Sequence, residues 1–251
     1  MIDLHCHILP GIDDGAKTID DSLALIEAEQ RQNVNSIVFT PHFNIERISV
    51  EKFSELRKCS MDTLISSPGF SEYNISVKTG AEVYFSLKLM DTDIKPLCFD
   101  GTDYILIELP VTERPYGLNH TLTDIINRGY IPILAHVERY PYFSADPTML
   151  YDLVVKGCLA QINASAVLKN SNITSLALKY IKWEMVHIVC SDCHSIDHRP
   201  PNMKKAFSYI EKKLGKQYTD WLIKNSNDIF NGNYVDIPII KKPKKFLGMW
   251  I

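Results

Sequence analysis

The chain has 251 residues, 45% hydrophobic and 23% charged, with a formal net charge of -3. That length and balance describe a globular chain able to bury a large core, as one barrel-sized α/β domain or two small ones. The slightly acidic total offers no global attraction to nucleic acid, no apolar run reaches membrane-spanning length, and no basic-then-apolar leader opens the chain, so the expected compartment is the cytoplasm.

Asp3-Leu4-His5-Cys6-His7 reads as an opening strand. Side chains on a strand alternate faces, so His5 and His7 point the same way and could share one metal ion. Leu9 to Gly15 is a loop punctuated by Pro10, Gly11 and Gly15. Thr18 with Asp21 resembles a capping box for a helix ending near Asn33. Ser36 to Thr40 is a β-branched strand with Pro41-His42 at its end, and Ser49 to Ser66 is a helix. Asn74 to Thr79 is a strand followed by Gly80-Ala81-Glu82. Tyr104 to Ile107 is a buried-type strand ending at Glu108, Gly117 to Arg128 a helix stopped by Gly129, and Ile131 to Ala135 a strand ending at His136. Asp146-Pro147 opens a helix that Gly157 closes. Leu159 to Ile162 is a strand, Ser171 to Lys182 a helix, and His187 to Cys190 a strand running into Ser191-Asp192-Cys193-His194. Helices over 202–214 and 218–224 close the domain.

Strands thus alternate with helices, with no linker, repeat or low-complexity segment. Short apolar strands joined through helices imply a parallel sheet covered on its outer face. A closed or nearly closed barrel over 1–240 is expected, with an open doubly wound sheet as the competitor and a separate basic-then-apolar tail over 241–251. His42, Glu82, Glu108, His136, Asp192 and His194 all follow the C-terminal end of a predicted strand. In βα barrels that rim is where active sites are built.

With His5, His7 and Asp14 these make nine candidate metal ligands. That is too many for one zinc and suits two or three ions sharing a carboxylate; mixed imidazole and carboxylate donors fit manganese, iron or zinc. Such centres clamp the attacking and leaving oxygens of displacement at phosphorus and lower the pKa of bound water. Any single strand-end His is more often a hydrogen-bonded structural residue, and any single carboxylate a helix cap. The coincidence of nine on one rim carries the reading. His120, His187 and His198 lack that context and read as structural or supporting residues. Arg139 and Arg199 offer guanidinium forks for phosphate, with a surface ion pair as the alternative for each.

Six cysteines, Cys6, Cys59, Cys98, Cys158, Cys190 and Cys193, form no compact framework and read as reduced, mostly buried thiols. Cys190 and Cys193 make a CxxC with no second pair to complete a zinc ribbon. Cys193 to Arg199 matches the C-x5-R loop of cysteine-dependent tyrosine phosphatases, but it contains no glycine, and Asp197 would repel a phosphate dianion. The match reads as accidental.

Asp3-Leu4-His5-Cys6-His7, Thr40-Pro41-His42, Gly80-Ala81-Glu82, Ile107-Glu108, Ala135-His136-Val137-Glu138-Arg139 and Ser191-Asp192-Cys193-His194 resemble the motifs of the polymerase and histidinol phosphatase (PHP) superfamily. Met1-Ile2-Asp3 through Asp14-Gly15, Tyr104 to Glu108 and Gly129-Tyr130-Ile131-Pro132 look like its bacterial manganese-dependent protein-tyrosine phosphatases of capsule and exopolysaccharide loci. The resemblance covers nearly the whole chain in order. It departs at Val137, where members often have Pro, and at Cys193, where Ala or Ser is common.

The resemblance implies a distorted (β/α)7 TIM-like barrel with a three-manganese cluster. By that analogy His5, His7, Glu82 and Asp192 hold one ion, Glu82, Glu108 and His136 a second, and Asp14, His42 and His194 a third, with Glu82 bridging. The implied reaction is hydrolysis of phosphotyrosine by metal-bound hydroxide, with Arg139 and Arg199 on the phosphate. The leaving phenolate, whose phenol ordinarily titrates near about 10, needs less help from an acid than an alkoxide would; His42, His194 or a metal-bound water could donate a proton. The implied partner is the tyrosine-rich tail of a bacterial autokinase controlling polysaccharide export. A small-molecule phosphomonoesterase such as histidinol phosphatase and a non-catalytic metal-binding regulator are the other readings. The tail from Lys241 to Trp250 is expected to be solvated and frayed, or else to contact an anionic membrane face or the kinase.

Overall fold

In the computed structural model, which describes residues 1–168, 171–238, 240, 242–246 and 248–250, strand β1 (Ile2–Cys6) is buried along its whole length. It pairs in parallel with β2 (Ser36–Phe39), and β2 with β4 (Ser76–Thr79). A second parallel sheet runs in the order β3 (His42–Phe43), β5 (Glu82–Tyr84), β6 (Tyr104–Glu108), β7 (Ile131–Leu134), β8 (Leu159–Asn163) and β9 (Ile188–Cys190). Its last strand returns to β1. The Asp192 amide donates to the His5 carbonyl at 2.8 Å, the His7 amide donates to the Cys193 carbonyl at 2.9 Å, and Cys6 bridges Cys193. The parallel strands therefore curl round on themselves.

Eight α-helices lie among the described residues: α1 (Ile19–Gln30), α2 (Val50–Ile65), α3 (Leu118–Asn127), α4 (Pro141–Ala145), α5 (Thr148–Val155), α6 (Asn172–Lys182), α7 (Met203–Leu214) and α8 (Lys216–Phe230). The Thr18–Asp21 capping box forms as expected and satisfies the first amides of α1. Apolar side chains fall into two clusters. Leu4, Val38, Leu106, Ile133 and Ile188 fill the inside of the curl together with Ile229 from α8. Ile37, Phe39, Ile105, Ile107 and Leu134 face the other way and pack with residues of the helices. Alternate residues of one strand serve opposite clusters, as the pleat requires.

Two strands end about where the sequence places them, but new strands begin just beyond. Pro41 has no amide to donate, so β2 ends at Phe39 and His42 starts a new strand, β3. At Gly80, a Cβ would meet the Phe99 ring at 2.5 Å, and the chain steps aside before β5 begins at Glu82. His42 and Glu82 therefore open short strands of the second sheet instead of trailing the first. Two further differences concern helices. The turn before α5 forms a short helix of its own, α4, and α8 runs well beyond 218–224 because Leu222, Asn225, Ser226 and Ile229 continue its buried face.

The tail is not a frayed extension. Lys245–Phe246 and Met249–Trp250 form an antiparallel hairpin (β10, β11). The Trp250 indole N–H donates to the Ala145 carbonyl at 3.1 Å, and Lys242 lies 3.3 Å from Asp152 on α5. Lys241, Leu247 and Ile251 of that tail lie outside the described residues. No helix among those described is long and apolar enough to cross a membrane.

Candidate metal centre

Where β1 meets β9, four donor atoms converge. His5 Nε2 lies 3.2 Å from His7 Nε2, 3.2 Å from Glu82 Oε2 and 3.5 Å from Asp192 Oδ1. His7 Nε2 lies 3.2 Å from the same Glu82 oxygen and 3.5 Å from the same Asp192 oxygen. Donors set tetrahedrally about 2.1 Å from one ion are themselves about 3.4 Å apart, so this spacing has the dimensions of a cation cage. On one side, His136 Nε2 is 2.9 Å from Glu82 Oε1 and 3.7 Å from Glu108 Oε1. His42 Nδ1 is 3.1 Å from Glu82 Oε2. On the other, Asp14 Oδ1 stands 3.4 Å from His42 Nε2 and 3.3 Å from His194 Nε2. All nine candidate ligands thus meet in one place, with Glu82 in the middle.

The donor set fits metal ions. Glu82 Oε2 is buried and accepts no hydrogen bond, although nitrogens of His5, His7 and His42 surround it. An orphaned buried carboxylate oxygen is costly, and a cation is the partner that relieves it. The acid groups are crowded: burial, reinforced by the Glu82 charge, pushes the Glu108 carboxyl up to about 7. Burial lowers His136 and His42, and lowers His194 to about 4, leaving these rings in the neutral form that binds metal. At His5 and His7 burial is outweighed, by Glu82 and Asp192 at the first and foremost by Asp13 at the second, and both pKa values rise.

Local backbone devices aim these side chains. The β1–β2 register slips between Asp3 and Cys6. Leu4 packs in the inner cluster, whereas Cys6, of the same parity, packs in the outer one. A bulge re-aims side chains in this way. His136 and Asp192 end β7 and β9 with φ of 32° and 51°, a left-handed conformation that costs a non-glycine residue about 1–3 kcal/mol. Neighbours hold both. The His136 amide donates to Gln161 Oε1 at 2.7 Å, and the Asn163 side-chain amide donates to Asp192 Oδ2 at 2.6 Å. Asp3 accepts from the Ser191 amide at 2.9 Å and from the Ser191 hydroxyl at 2.5 Å.

The imidazoles are oriented from behind. His5 Nδ1 faces Gln161 Oε1 at 3.2 Å and His7 Nδ1 faces Asp13 Oδ2 at 2.7 Å, which turns each Nε2 toward the centre. Asp13, Gln161 and Asn163 are not among the residues that the sequence singles out. Gln161 and Asn163 carry a signal: polar residues two apart in an otherwise apolar strand share one face. Asp13 has none that separates it from Asp14.

Arg139 and Arg199 both reach Asp192 Oδ2, at 3.2 and 2.5 Å, and Arg199 Nη1 lies 2.9 Å from His194 Nε2. Each guanidinium is partly exposed at the mouth of the centre. Cys193, by contrast, is buried in the outer cluster with its thiol 3.8 Å from Glu29. It faces away from the ligands, so the C-x5-R segment forms no thiol-centred phosphate loop. Cys190 packs in the inner cluster, which leaves the CxxC pair on opposite faces. His187 is buried and its Nδ1 accepts from the Ala160 amide at 3.1 Å, a structural role. His120 and His198 are exposed and join none of the ligand groups.

Comparison with known proteins agrees with this geometry. The family model described as capsular polysaccharide synthesis, CpsB/CapC, matches residues 1–231. CapC of Staphylococcus aureus is 32% identical, covering 99% of this chain and 100% of its own. The tyrosine-protein phosphatase YwqE of Bacillus subtilis is 30% identical over 90% of each chain. A solved structure from a set described as YwqE from Bacillus subtilis and CpsB from Streptococcus pneumoniae, metal-dependent tyrosine phosphatases, superposes with a TM-score of 0.85 at 27% identity, covering 98% of this chain and 100% of that one. This chain belongs to the CpsB/CapC family of capsular polysaccharide synthesis.

Proposed function

We propose that this chain is a metal-dependent protein-tyrosine phosphatase acting in the cytoplasm on the phosphorylated tyrosine-rich tail of a bacterial kinase that governs polysaccharide export. The observation that carries the reading is the buried, unpartnered Glu82 Oε2 amid donors at cation spacing. Relatives named as tyrosine-protein phosphatases support the substrate class. In this reading residues 1–240 work as one domain. The curled sheet is a (β/α)7 barrel of PHP type, with β2 and β3, and likewise β4 and β5, each counted as one interrupted strand.

His5, His7, Glu82 and Asp192 would hold a first ion, Glu82, Glu108 and His136 a second, and Asp14, His42 and His194 a third, with manganese as the metal proposed and iron or zinc as alternatives. Bound there, the metals supply Lewis acidity toward a phosphoryl oxygen and water of lowered pKa. The chain's own residues bind and orient. Arg139 and Arg199 grip phosphate oxygens by exchanging them for Asp192 Oδ2, since guanidinium forks match either partner. His42 and His194, kept neutral by burial, are ligands before they are acids. The phenolate, stable enough that its phenol ordinarily titrates near about 10, departs without an imidazolium to protonate it.

The test compares a phosphotyrosyl peptide with histidinol phosphate, with chelator and with added Mn²⁺. Peptide hydrolysis that is lost with chelator and restored by Mn²⁺ supports the reading. Preference for histidinol phosphate moves the protein to small-molecule substrates. Metal binding without turnover of either makes it a regulator.

A further inference from the structure

Beside the ligand cluster lies a cavity of about 600 Å³, the size of a small-ligand site. His42 and Glu108 form part of its wall, so it opens directly onto the reacting centre. Its other walls include Phe43, Ile48 and Tyr84, an aromatic and aliphatic surface, and Arg47 stands among them. Phe43 is fully buried, while Ile48 and Tyr84 are half-buried and present their faces to the space.

The wall is prebuilt. The Arg47 and Ile48 amides both donate to the Asn44 carbonyl, at 2.9 and 3.1 Å, and the Glu46 amide donates to Asn44 Oδ1 at 2.9 Å. Glu46 is itself committed across the gap, accepting from the Ser86 hydroxyl at 2.8 Å and pairing with Lys88. Among the described residues that leaves Arg47 exposed with no carboxylate partner. The acids lining the same cavity are engaged elsewhere: Asp13 with His7, Asp14 with His42 and His194, and Glu108 facing His136. Arg47 is thus the one lysine or arginine in the cavity wall, set against apolar side chains at the edge of a phosphate-ester centre.

We propose that this cavity is the aryl subsite of the enzyme, with Ile48 and Tyr84, backed by Phe43, receiving the tyrosyl ring and Arg47 selecting peptides that carry a carboxylate beside the phosphotyrosine. The inference rests on the phosphatase reading above. An aromatic ring gains more from burial against such walls than the hydroxylated glycerol of β-glycerophosphate, whose polar groups would lose water. A guanidinium without a partner favours an anionic neighbour and disfavours a cationic one. Rigid walls bind without first being ordered.

The test uses the full chain with Mn²⁺ and four substrates: p-nitrophenyl phosphate, β-glycerophosphate, and phosphotyrosyl peptides flanked by Glu or by Lys. The wild type is expected to prefer the Glu-flanked peptide. Arg47→Glu should shift the Glu-to-Lys ratio of kcat/KM at least about tenfold toward the Lys-flanked peptide, through KM, since a contact uniform to ground and transition states changes KM. Ile48→Ser should lower the ratio of p-nitrophenyl phosphate to β-glycerophosphate turnover. Arg47→Glu lies on the surface, and its unfolding midpoint checks that it folds. Equal handling of both peptides by wild type and Arg47→Glu, with an unchanged aryl-to-alkyl ratio in Ile48→Ser, overturns the subsite and leaves the phosphatase standing. No hydrolysis of any aryl phosphate by the wild type overturns both.

Discussion

Asp3 touches no proposed ligand ion, yet replacing it should empty the centre. It is fully buried, and its two oxygens hold the amide and the hydroxyl of Ser191, the residue immediately before Asp192, and the amide of His5 at 3.4 Å. Asp3→Ala removes three hydrogen bonds, each contributing about 0.5–3 kcal/mol, and strands three buried donors. These effects overlap, so the expected loss is about 3–5 kcal/mol, as for breaking a buried pair by deleting one partner. Against a total of roughly 5–15 kcal/mol, that loss leaves the variant folded over most of the range. Burial, the larger cause, and then the Asp3 charge push the Glu29 carboxyl well above its ordinary value, and the first persists in the variant. Released from Ser191, Asp192 has less to keep it at its positive φ, and ion affinity should fall about 10- to 100-fold, the usual effect of removing a group that orients a ligand. Urea unfolding of the metal-free protein and titration calorimetry with Mn²⁺ read the two effects separately. An unchanged midpoint together with unchanged affinity would mean that Asp3 supports neither the fold nor the centre. Asp3→Asn, which keeps one acceptor oxygen, should fall between.

Three other outcomes are expected. In Gly15→Ala the new Cβ would sit 2.1 Å from the His7 carbonyl oxygen, so the Asp13–Asp14 loop must move. A stability loss of about 1–3 kcal/mol, as for overpacking, should accompany reduced metal content by mass spectrometry; normal content would show that the loop is not a ligand support. Cys193→Ser should keep peptide hydrolysis that chelator abolishes, because the thiol faces Glu29 and not the ligands; chelator-resistant wild-type activity that the substitution destroys would restore a cysteine mechanism. Burial lowers His187 to about 3, against about 6.5 when unfolded. Below the unfolded value only the unfolded chain takes up that proton, so stability falls as pH drops from about 6.5 toward 3, by at most about 1.4 kcal/mol per pH unit. His187→Asn should flatten that slope in urea-unfolding series, and an identical slope would assign the acid sensitivity elsewhere.

Residue chemistry and local pattern carried much of this protein. The ligand types, the βα alternation and the Thr18 cap follow from short-range rules, because period, capping and turn chemistry act between residues a few positions apart. Those rules failed where two distant segments compete. Pro41 and Gly80 looked like punctuation after strands, and only the packing of Phe99 and the start of the second sheet made His42 and Glu82 the first residues of new ones. Asp13 and Asp14 are equivalent in sequence; the fold turns one behind His7 and the other toward His42 and His194. Which donors exist, and that they cluster near strand ends, was legible from the residues alone. Which of them share a space of ionic size depended on closure of β1 on β9, through contacts such as Asp3 to Ser191 across 188 positions of chain, because no local preference reports the geometry of groups that meet only when the whole sheet has curled.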